Sequence, residues 1–109
     1  MEPIRTLLIS AIEESTETNA RLLRALADPT RLRLLRLLIE HEGTMNVGDL
    51  VEHFEFEQPT VSHHLRILMD GGLIYRRVHR NYRYYYVCRE RLCDAQQIIA
   101  ELGGSHAHH

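Results

Sequence analysis

Lysine is absent from this 109-residue chain, and all thirteen of its basic residues are arginines. The chain also lacks an apolar run of roughly 18–20 residues, the length that a membrane-spanning helix needs. Its start, MEPIRTLLISAIEE, turns acidic where a secretory signal would be basic and then apolar. We therefore expect a cytoplasmic protein with no membrane partner. No phosphate-binding loop, nucleophile–base pair or paired carboxylates can be recognised, which argues against an enzyme.

Cysteine is scarce, with only Cys88 and Cys93 in the chain. In a cytosolic protein two cysteines rarely form a structural disulfide. Five residues on an ideal helix give a rise of about 7.5 Å, which exceeds the roughly 7 Å Cα separation that a disulfide tolerates. An intrahelical disulfide is therefore disfavoured, unless Cys88 precedes the helix.

The formal net charge of −2 conceals an uneven distribution of charge. Between Thr60 and Arg89 there are six arginines and one acid, Asp70, whereas the segment from Glu40 to Glu57 holds six acids and no arginine. The chain is therefore polarised, and its positive part is suited to a polyanion such as nucleic acid.

The order of predicted elements is four helices, a β-hairpin and a last helix. Asp28-Pro29 and Asn46 are helix-start signals, and the Gly71-Gly72 pair ends the fourth helix. Alternating apolar and tyrosine residues predict the strands. The first four helices are expected at about 4–26, from Pro29 to before Gly43, at about 47–55 and at about 58–70. The strands are expected at about 73–78 and 82–87, and the last helix at about 89–102.

This α-α-α-α-β-β-α order, mainly α with a β-hairpin wing, is that of a winged helix-turn-helix domain with an extra helix at each end. We expect one domain over residues 1–102, with a recognition helix at about 58–70 and a wing at about 73–87. A His-rich tail, residues 103–109, follows.

A helix that reads duplex DNA needs short hydrogen-bonding side chains in its first turns, because these reach base edges in the major groove. Arginines of the wing would then contact phosphates or the minor groove. Alternation places Arg77 and Arg83 on opposite faces, so the turn carrying Arg80 is the strongest wing candidate, with Asn81 as the residue most tolerant of positive φ. His64 has a second interpretation, as a cap for a neighbouring carbonyl. The candidates are Gln58, Thr60, Ser62, His63, His64 and Arg66 on the helix and Arg76, Arg77, Arg80 and Arg83 on the wing.

Three segments together resemble the ArsR/SmtB family of winged-helix repressors: LRALADPTRLRLLRLL from Leu23, VGDLVEHFEFEQPTVSHHLRILMDGGLI from Val47, and the final YYYV of the wing. The resemblance covers roughly residues 20–102. It implies a homodimer formed by the first and last helices, about 4–26 and 89–102. It also implies binding to double-stranded operator DNA that is released when a metal ion or a thiol oxidant is sensed.

The chain departs from this family pattern at several positions. Asn46-Val47-Gly48 stands where many members have a sensing Cys-Val-Cys, and Glu55 stands where the turn before the recognition helix usually has glycine. Glu57 stands where a short capping residue is common. The family's metal-ligand pairs on the last helix correspond here to Arg89 with Arg91 and to Leu102 with Ser105, none of which suits a metal.

The remaining sensor candidates are Cys88, Cys93 and the tail residues His106, His108 and His109. If the last helices of two protomers pair in the family's register, Cys88 approaches the tail of its partner, and thiolate with imidazole suits Zn(II), Ni(II), Co(II) or Cd(II). One alternative is thiol chemistry at Cys88 or Cys93 with an oxidant, a persulfide or an arsenical. Others are that Cys88 is a small core residue, that the tail has no function, and that the domain is an interaction module without operator binding.

Overall fold

The structure, a computed structural model, describes residues 2–104. Within this range, five helices and one two-stranded antiparallel sheet confirm the predicted α-α-α-α-β-β-α order. None of the helices in the described range combines the length and apolar character that crossing a membrane requires. The elements are α1 (Glu2–Leu26), α2 (Pro29–Glu40), α3 (Val47–His53), α4 (Gln58–Asp70), β1 (Ile74–His79), β2 (Tyr82–Val87) and α5 (Arg89–Gly103).

Two of the helices begin at the signals predicted from sequence. The Asp28 side chain accepts a hydrogen bond from the Arg31 backbone N–H at 3.1 Å, and Pro29 occupies the first turn of α2. At α3, the Asn46 side chain accepts from the Asp49 N–H at 2.9 Å while the Asp49 carboxylate accepts from the Asn46 N–H at 3.0 Å. This reciprocal capping box satisfies N–H groups that the helix itself leaves unpaired.

The core is built mainly from leucines of the central helices. Fully buried side chains include Leu22 of α1, Leu34 and Leu38 of α2, Leu50 of α3 and Leu65 of α4. α1 enters this core only near its C-terminal end, and Ala95 is the buried residue of α5. The first half of α1 therefore extends beyond the core of its own chain.

The β-hairpin is anchored at its base and free at its tip. Ile74, Tyr85 and Val87 are buried, and the Tyr85 N–H donates to the Met45 carbonyl at 3.4 Å. The register pairs His79 with Tyr82, which leaves a two-residue loop. The helix and strand bounds thus place the charged end of the hairpin away from the core, where it can contact a partner.

Backbone conformation departs from the sequence-based expectation at the hairpin loop. Both Arg80 (φ 49°) and Asn81 (φ 71°) are in the left-handed region, whereas the sequence indicated Asn81 alone. The reason is that a two-residue hairpin loop of this hand needs positive φ at both central residues. Glu55 is absent from the positive-φ residues of the described range, so the turn before α4 forms without the glycine that is usual there.

Candidate nucleic-acid interface

The outward face of α4 presents a row of polar side chains. Val61, Leu65 and Leu68 point into the core. At 100° per residue, the side opposite these three is centred on His63 and Arg66, both of which are exposed. Thr60 is exposed on one flank of this row and Ser62 is half-buried on the other.

The first turn of α4 has no side-chain cap. The N-cap residue is Glu57, whose side chain accepts no hydrogen bond from the helix, and Gln58 follows it on the surface. Pro59 has no N–H, and the Thr60 N–H donates to the Glu57 carbonyl at 3.0 Å, so few N–H groups remain at this end of the helix for a ligand. Glu57 itself is exposed.

His64 is placed differently from its neighbours on α4. Its side chain is only 16% exposed, and its Nδ1 lies 3.4 Å from Nη1 of Arg31 and 3.9 Å from Oδ2 of Asp28. Burial is the main cause that lowers the pKa of His64, with Asp28 opposing and Arg31 and His63 reinforcing the shift. His64 thus packs against the start of α2, where it accepts a hydrogen bond from Arg31 in its neutral form.

Asp28 and Arg31 complete this cluster behind the recognition helix. The hydrogen bond from the Arg31 backbone N–H is the main cause that lowers the pKa of Asp28. The Arg31 guanidinium donates to the carbonyls of Ala25 at 2.7 Å and Arg24 at 3.0 Å, at the C-terminal end of α1. A cation at a helix C-terminus is favourable. The sequence pattern predicted Asp28 as a helix cap, but it did not predict that Asp28, Arg31 and His64 lie close together.

The wing arginines divide between the two faces of the hairpin. The register pairs Arg77 with Tyr84 and Val78 with Arg83, so Arg77 and Arg83 lie on opposite faces, as alternation predicts. The Arg77 guanidinium carbon lies 5.6 Å and 5.7 Å from the ring centres of Tyr75 and Tyr86, which stack on each other. Arg77 is therefore held by cation–π contacts.

Arg76 and Arg83 share the other face of the hairpin, and both are exposed. Arg80 is exposed at the loop. None of these three takes part in an ion pair among residues 2–104. Arg66 likewise has no ion pair among these residues, so α4 and the hairpin both carry uncompensated positive charge.

The two cysteines are free and lie at the start of α5. Cys88 is the N-cap residue and half-buried, and its N–H donates to the Leu73 carbonyl at 2.8 Å. Cys93 is exposed. Within residues 2–104 no group of three or more His, Cys, Asp or Glu side chains is arranged to hold a metal. The tail candidates His106, His108 and His109 lie outside the described residues.

Arg91 has a structural role that the sequence pattern did not reveal. Its guanidinium donates to the Gly71 carbonyl at 3.3 Å, to the Thr18 carbonyl at 3.4 Å and to the Asp94 carboxylate at 3.0 Å. It thus connects α5 with α1 and with the end of α4. Arg89 lies 3.5 Å from the Glu42 carboxylate.

The chain is similar to regulators of one family. The family model described as bacterial regulatory protein, arsR family, matches residues 28–76. An uncharacterized HTH-type transcriptional regulator from Methanocaldococcus jannaschii is 36% identical over 89 residues, which cover 82% of this chain and 99% of that protein. The arsenical resistance operon repressor of Staphylococcus aureus is 40% identical over 78 residues, which cover 72% of this chain and 73% of the repressor.

Solved structures agree with this assignment. A crystal structure of an ArsR family transcriptional regulator gives a TM-score of 0.75 at 25% identity, over 84% of this chain and 93% of that one. The solution structure of a homodimeric winged helix-turn-helix DNA-binding domain from Mycobacterium bovis gives 0.68 at 29% identity, over 89% and 91%. The relatives are transcriptional regulators and not enzymes. This chain belongs to the ArsR family of winged helix-turn-helix transcriptional repressors.

Proposed function

We propose that two copies of this chain form a dimer that binds operator DNA and releases it when an effector is sensed. The observation that carries the proposal is the exposed row of Thr60, His63 and Arg66 on α4, together with wing arginines that are exposed and have no ion pair among residues 2–104. Such an arrangement lets the start of α4 enter the major groove while the wing contacts the adjacent backbone.

The structure favours different roles for the candidate DNA-binding residues. Gln58, Thr60, Ser62 and His63 lie in the first turns of α4, from which short side chains reach base edges. Arg66, Arg76, Arg80 and Arg83 are suited to phosphate contacts, since they are exposed and charged. Arg77 adds charge from its stacked position on the tyrosines. His64 is better suited to positioning α4 than to contacting DNA, because it faces Arg31 and Asp28.

The test of base reading compares operator DNA with random DNA. We expect Ser62→Ala or His63→Ala to weaken operator binding by about 5- to 150-fold, the loss of one base-reading contact of roughly 1–3 kcal/mol, with little change on random DNA. Fluorescence anisotropy measures both affinities, with the DNA segment upstream of the chain's own gene as the operator and a random sequence for comparison. Ser15→Ala, an exposed serine of α1, is the matched control and should bind as the wild type does. Equal losses on both DNAs would contradict base reading.

Dimerisation is supported by the apolar surface of the two outer helices. Ile4, Leu8 and Ile12 of α1 are 63%, 60% and 65% exposed, and Ile99 and Leu102 of α5 are 61% and 76% exposed. Adjacent large apolar side chains at helical spacing are a typical association surface. A similar domain has been described as homodimeric.

Analytical ultracentrifugation tests the dimer. We expect the wild type to sediment as a dimer and Leu8→Glu to sediment as a monomer, because a carboxylate would be buried in the interface without a partner. The matched control is Val78→Glu, at a side chain that is 66% exposed on the wing, where the dimer should persist. A Leu8→Glu protein that remains dimeric would contradict this interface.

The proposed effector is a transition metal or metalloid ion bound through Cys88, with Cys93 or the tail histidines completing the site. Two thiols alone do not complete a metal site, so ligands from the tail or a partner are needed. The name of the Staphylococcus aureus relative refers to arsenical resistance, which fits thiol ligands. The second candidate is thiol oxidation, which the exposed Cys93 favours.

Operator release in the presence of Zn(II), Ni(II), Co(II), Cd(II), arsenite or peroxide distinguishes a metal or metalloid sensor from a thiol-oxidation sensor. A metal sensor should release operator with a metal, and equilibrium dialysis should show a lower metal stoichiometry for Cys88→Ser truncated after Gly104. Unchanged stoichiometry in that variant would contradict the metal site. Release by peroxide alone, abolished in Cys88→Ser or Cys93→Ser, would support the thiol alternative.

A further inference from the structure

A cavity of about 320 Å³ lies where the last turns of α1 and α4 meet the start of α2. Three arginines line it, Arg21, Arg24 and Arg31. Its accessible apolar side chain is that of Ile67, since Ala25 is fully buried. Neither the first turns of α4 nor Cys88 lines it, and the proposed repressor function gives it no role.

The charges around this cavity are not balanced. Asp70 is the one acid among the lining residues, against three guanidinium groups. Glu17 lies 4.0 Å from Arg21, but both side chains are largely exposed, so water and salt screen the pair. Among the described residues, the Arg24 guanidinium has no ion-pair or hydrogen-bond partner. An anion in the cavity would therefore meet free donors.

Arg31 lines the cavity, but its guanidinium is already engaged in hydrogen bonds. Its Nε and Nη2 donate to the Ala25 and Arg24 carbonyls, so they neutralise the C-terminal end of α1. That arrangement removes the negative dipole end that would otherwise repel an anion. The donors left for a ligand are those of Arg21 and Arg24.

We infer that this cavity binds a small organic carboxylate. Its charge would lie between Arg21 and Arg24, which offer bidentate donors, and its apolar part would cover the half-buried Ile67. An inorganic anion leaves that apolar part uncovered, so the cavity favours an amphiphilic ligand.

The position of the cavity separates it from the base-reading first turns of α4. Ile67 and Asp70 are nine and twelve residues from Gln58, which corresponds to about 13–18 Å along the axis of α4. The start of α4 is the end proposed to enter the groove, so the cavity lies at the opposite end. Because α1, α2 and α4 all form its wall, a bound carboxylate should also change operator affinity, an expectation that rests on the proposed function.

Isothermal titration calorimetry on the full chain tests the site with benzoate as the probe. Benzamide has the same shape without the charge, and sulfate has the charge without the apolar part. We expect saturable benzoate binding that is at least about tenfold tighter than that of benzamide or sulfate. Arg24→Gln should weaken it by about tenfold, and Arg36→Gln, an exposed arginine of α2 that does not line the cavity, should leave it unchanged. Equal binding of benzoate and benzamide, or no effect of Arg24→Gln, would overturn the site.

Operator binding is measured separately, so that the two proposals fail independently. A change in operator affinity of at least threefold with saturating benzoate supports the regulatory role, and an unchanged affinity overturns that role. If the protein binds no operator at all, the proposed function fails while the calorimetry still decides the site. If Arg24→Gln weakens operator binding without benzoate present, the arginines serve DNA and the inference is wrong.

Discussion

The imidazole of His64 faces the guanidinium of Arg31, with 3.4 Å between Nδ1 and Nη1. This contact joins the recognition helix to the first turn of α2. It requires an unprotonated Nδ1, because a protonated imidazole and a guanidinium are both donors and repel each other. The 3.9 Å approach of Nδ1 to Asp28 becomes an ion pair only if His64 is protonated, and the lowered pKa of His64 shows that burial outweighs that attraction.

Stability is therefore expected to fall as the solution is acidified through the histidine range. The pKa of His64 is lowered from 6.5 in the folded chain, so below about that pH the unfolded chain binds more protons than the folded one. The free energy of unfolding then decreases as pH falls from above 6.5 until the folded-state pKa is passed. Urea unfolding at pH 7.5 and pH 5.5 measures this difference.

His64→Asn provides the control for that measurement, because its Oδ1 replaces Nδ1 as an acceptor and does not titrate. Every other side chain is the same in both proteins, so only the contribution of His64 should disappear. We expect the variant to lose less stability on acidification than the wild type. An identical loss in both proteins would show that the Arg31 contact has no bearing on pH dependence.

Removal of the Asp28 cap should destabilise the domain. Asp28→Ala takes away the acceptor of the Arg31 N–H bond and should lower the free energy of unfolding by about 1 kcal/mol, within the usual range of roughly 0.5–2 kcal/mol. Asp28→Asn keeps a side-chain acceptor and should retain most of the stability. Urea midpoints at neutral pH compare the three proteins, and equal losses in both variants would rule out the cap as the cause.

Local signals in the sequence predicted most of the fold, while tertiary contacts account for what it did not predict. Asp28-Pro29 and Asn46 mark helix starts because a side chain satisfies nearby N–H groups, an interaction within a few residues. The inward position of His64 depends on α2 packing against α4, and nothing near His64 in the chain encodes it. The convergence of Arg21 and Arg24 with Arg31 likewise needs the angle between two helices.

The hairpin loop should accept glycine with a gain in stability. Asn81 has φ 71° at the second loop position, where glycine is the preferred residue of such two-residue turns. Asn81→Gly relieves the strain of the left-handed conformation and should stabilise the domain by up to about 1 kcal/mol. Thermal unfolding followed by circular dichroism measures the effect. A clear loss of stability would indicate that the Asn81 side chain makes a contribution of its own.

Arg80→Asn is expected to separate folding from DNA binding at the neighbouring position. Asparagine tolerates the φ of 49° at least as well as arginine, so the free energy of unfolding should stay within about 0.5 kcal/mol. The lost charge should weaken binding to operator and random DNA alike and lower the salt slope by about 1. Anisotropy titrations at several salt concentrations test this, with Arg36→Asn as a remote control. An unchanged slope would remove Arg80 from the phosphate contacts.

Gly43→Ala, in the turn between α2 and α3, should destabilise the domain more than Gly103→Ala at the end of α5. Gly43 has φ 71°, and a Cβ there would lie 2.5–2.9 Å from two ring carbons and the hydroxyl oxygen of Tyr86. Tyr86 is held by stacking on Tyr75 at 5.3 Å, so its displacement would also disturb the wing. We expect a loss of about 1–3 kcal/mol from strain and overpacking together.

Gly103→Ala, where nothing lies within 4 Å of the added Cβ, should be neutral or gain up to about 1 kcal/mol from helix propensity. Urea unfolding of both variants decides the point, since equal effects would mean that the Tyr86 contact does not constrain Gly43.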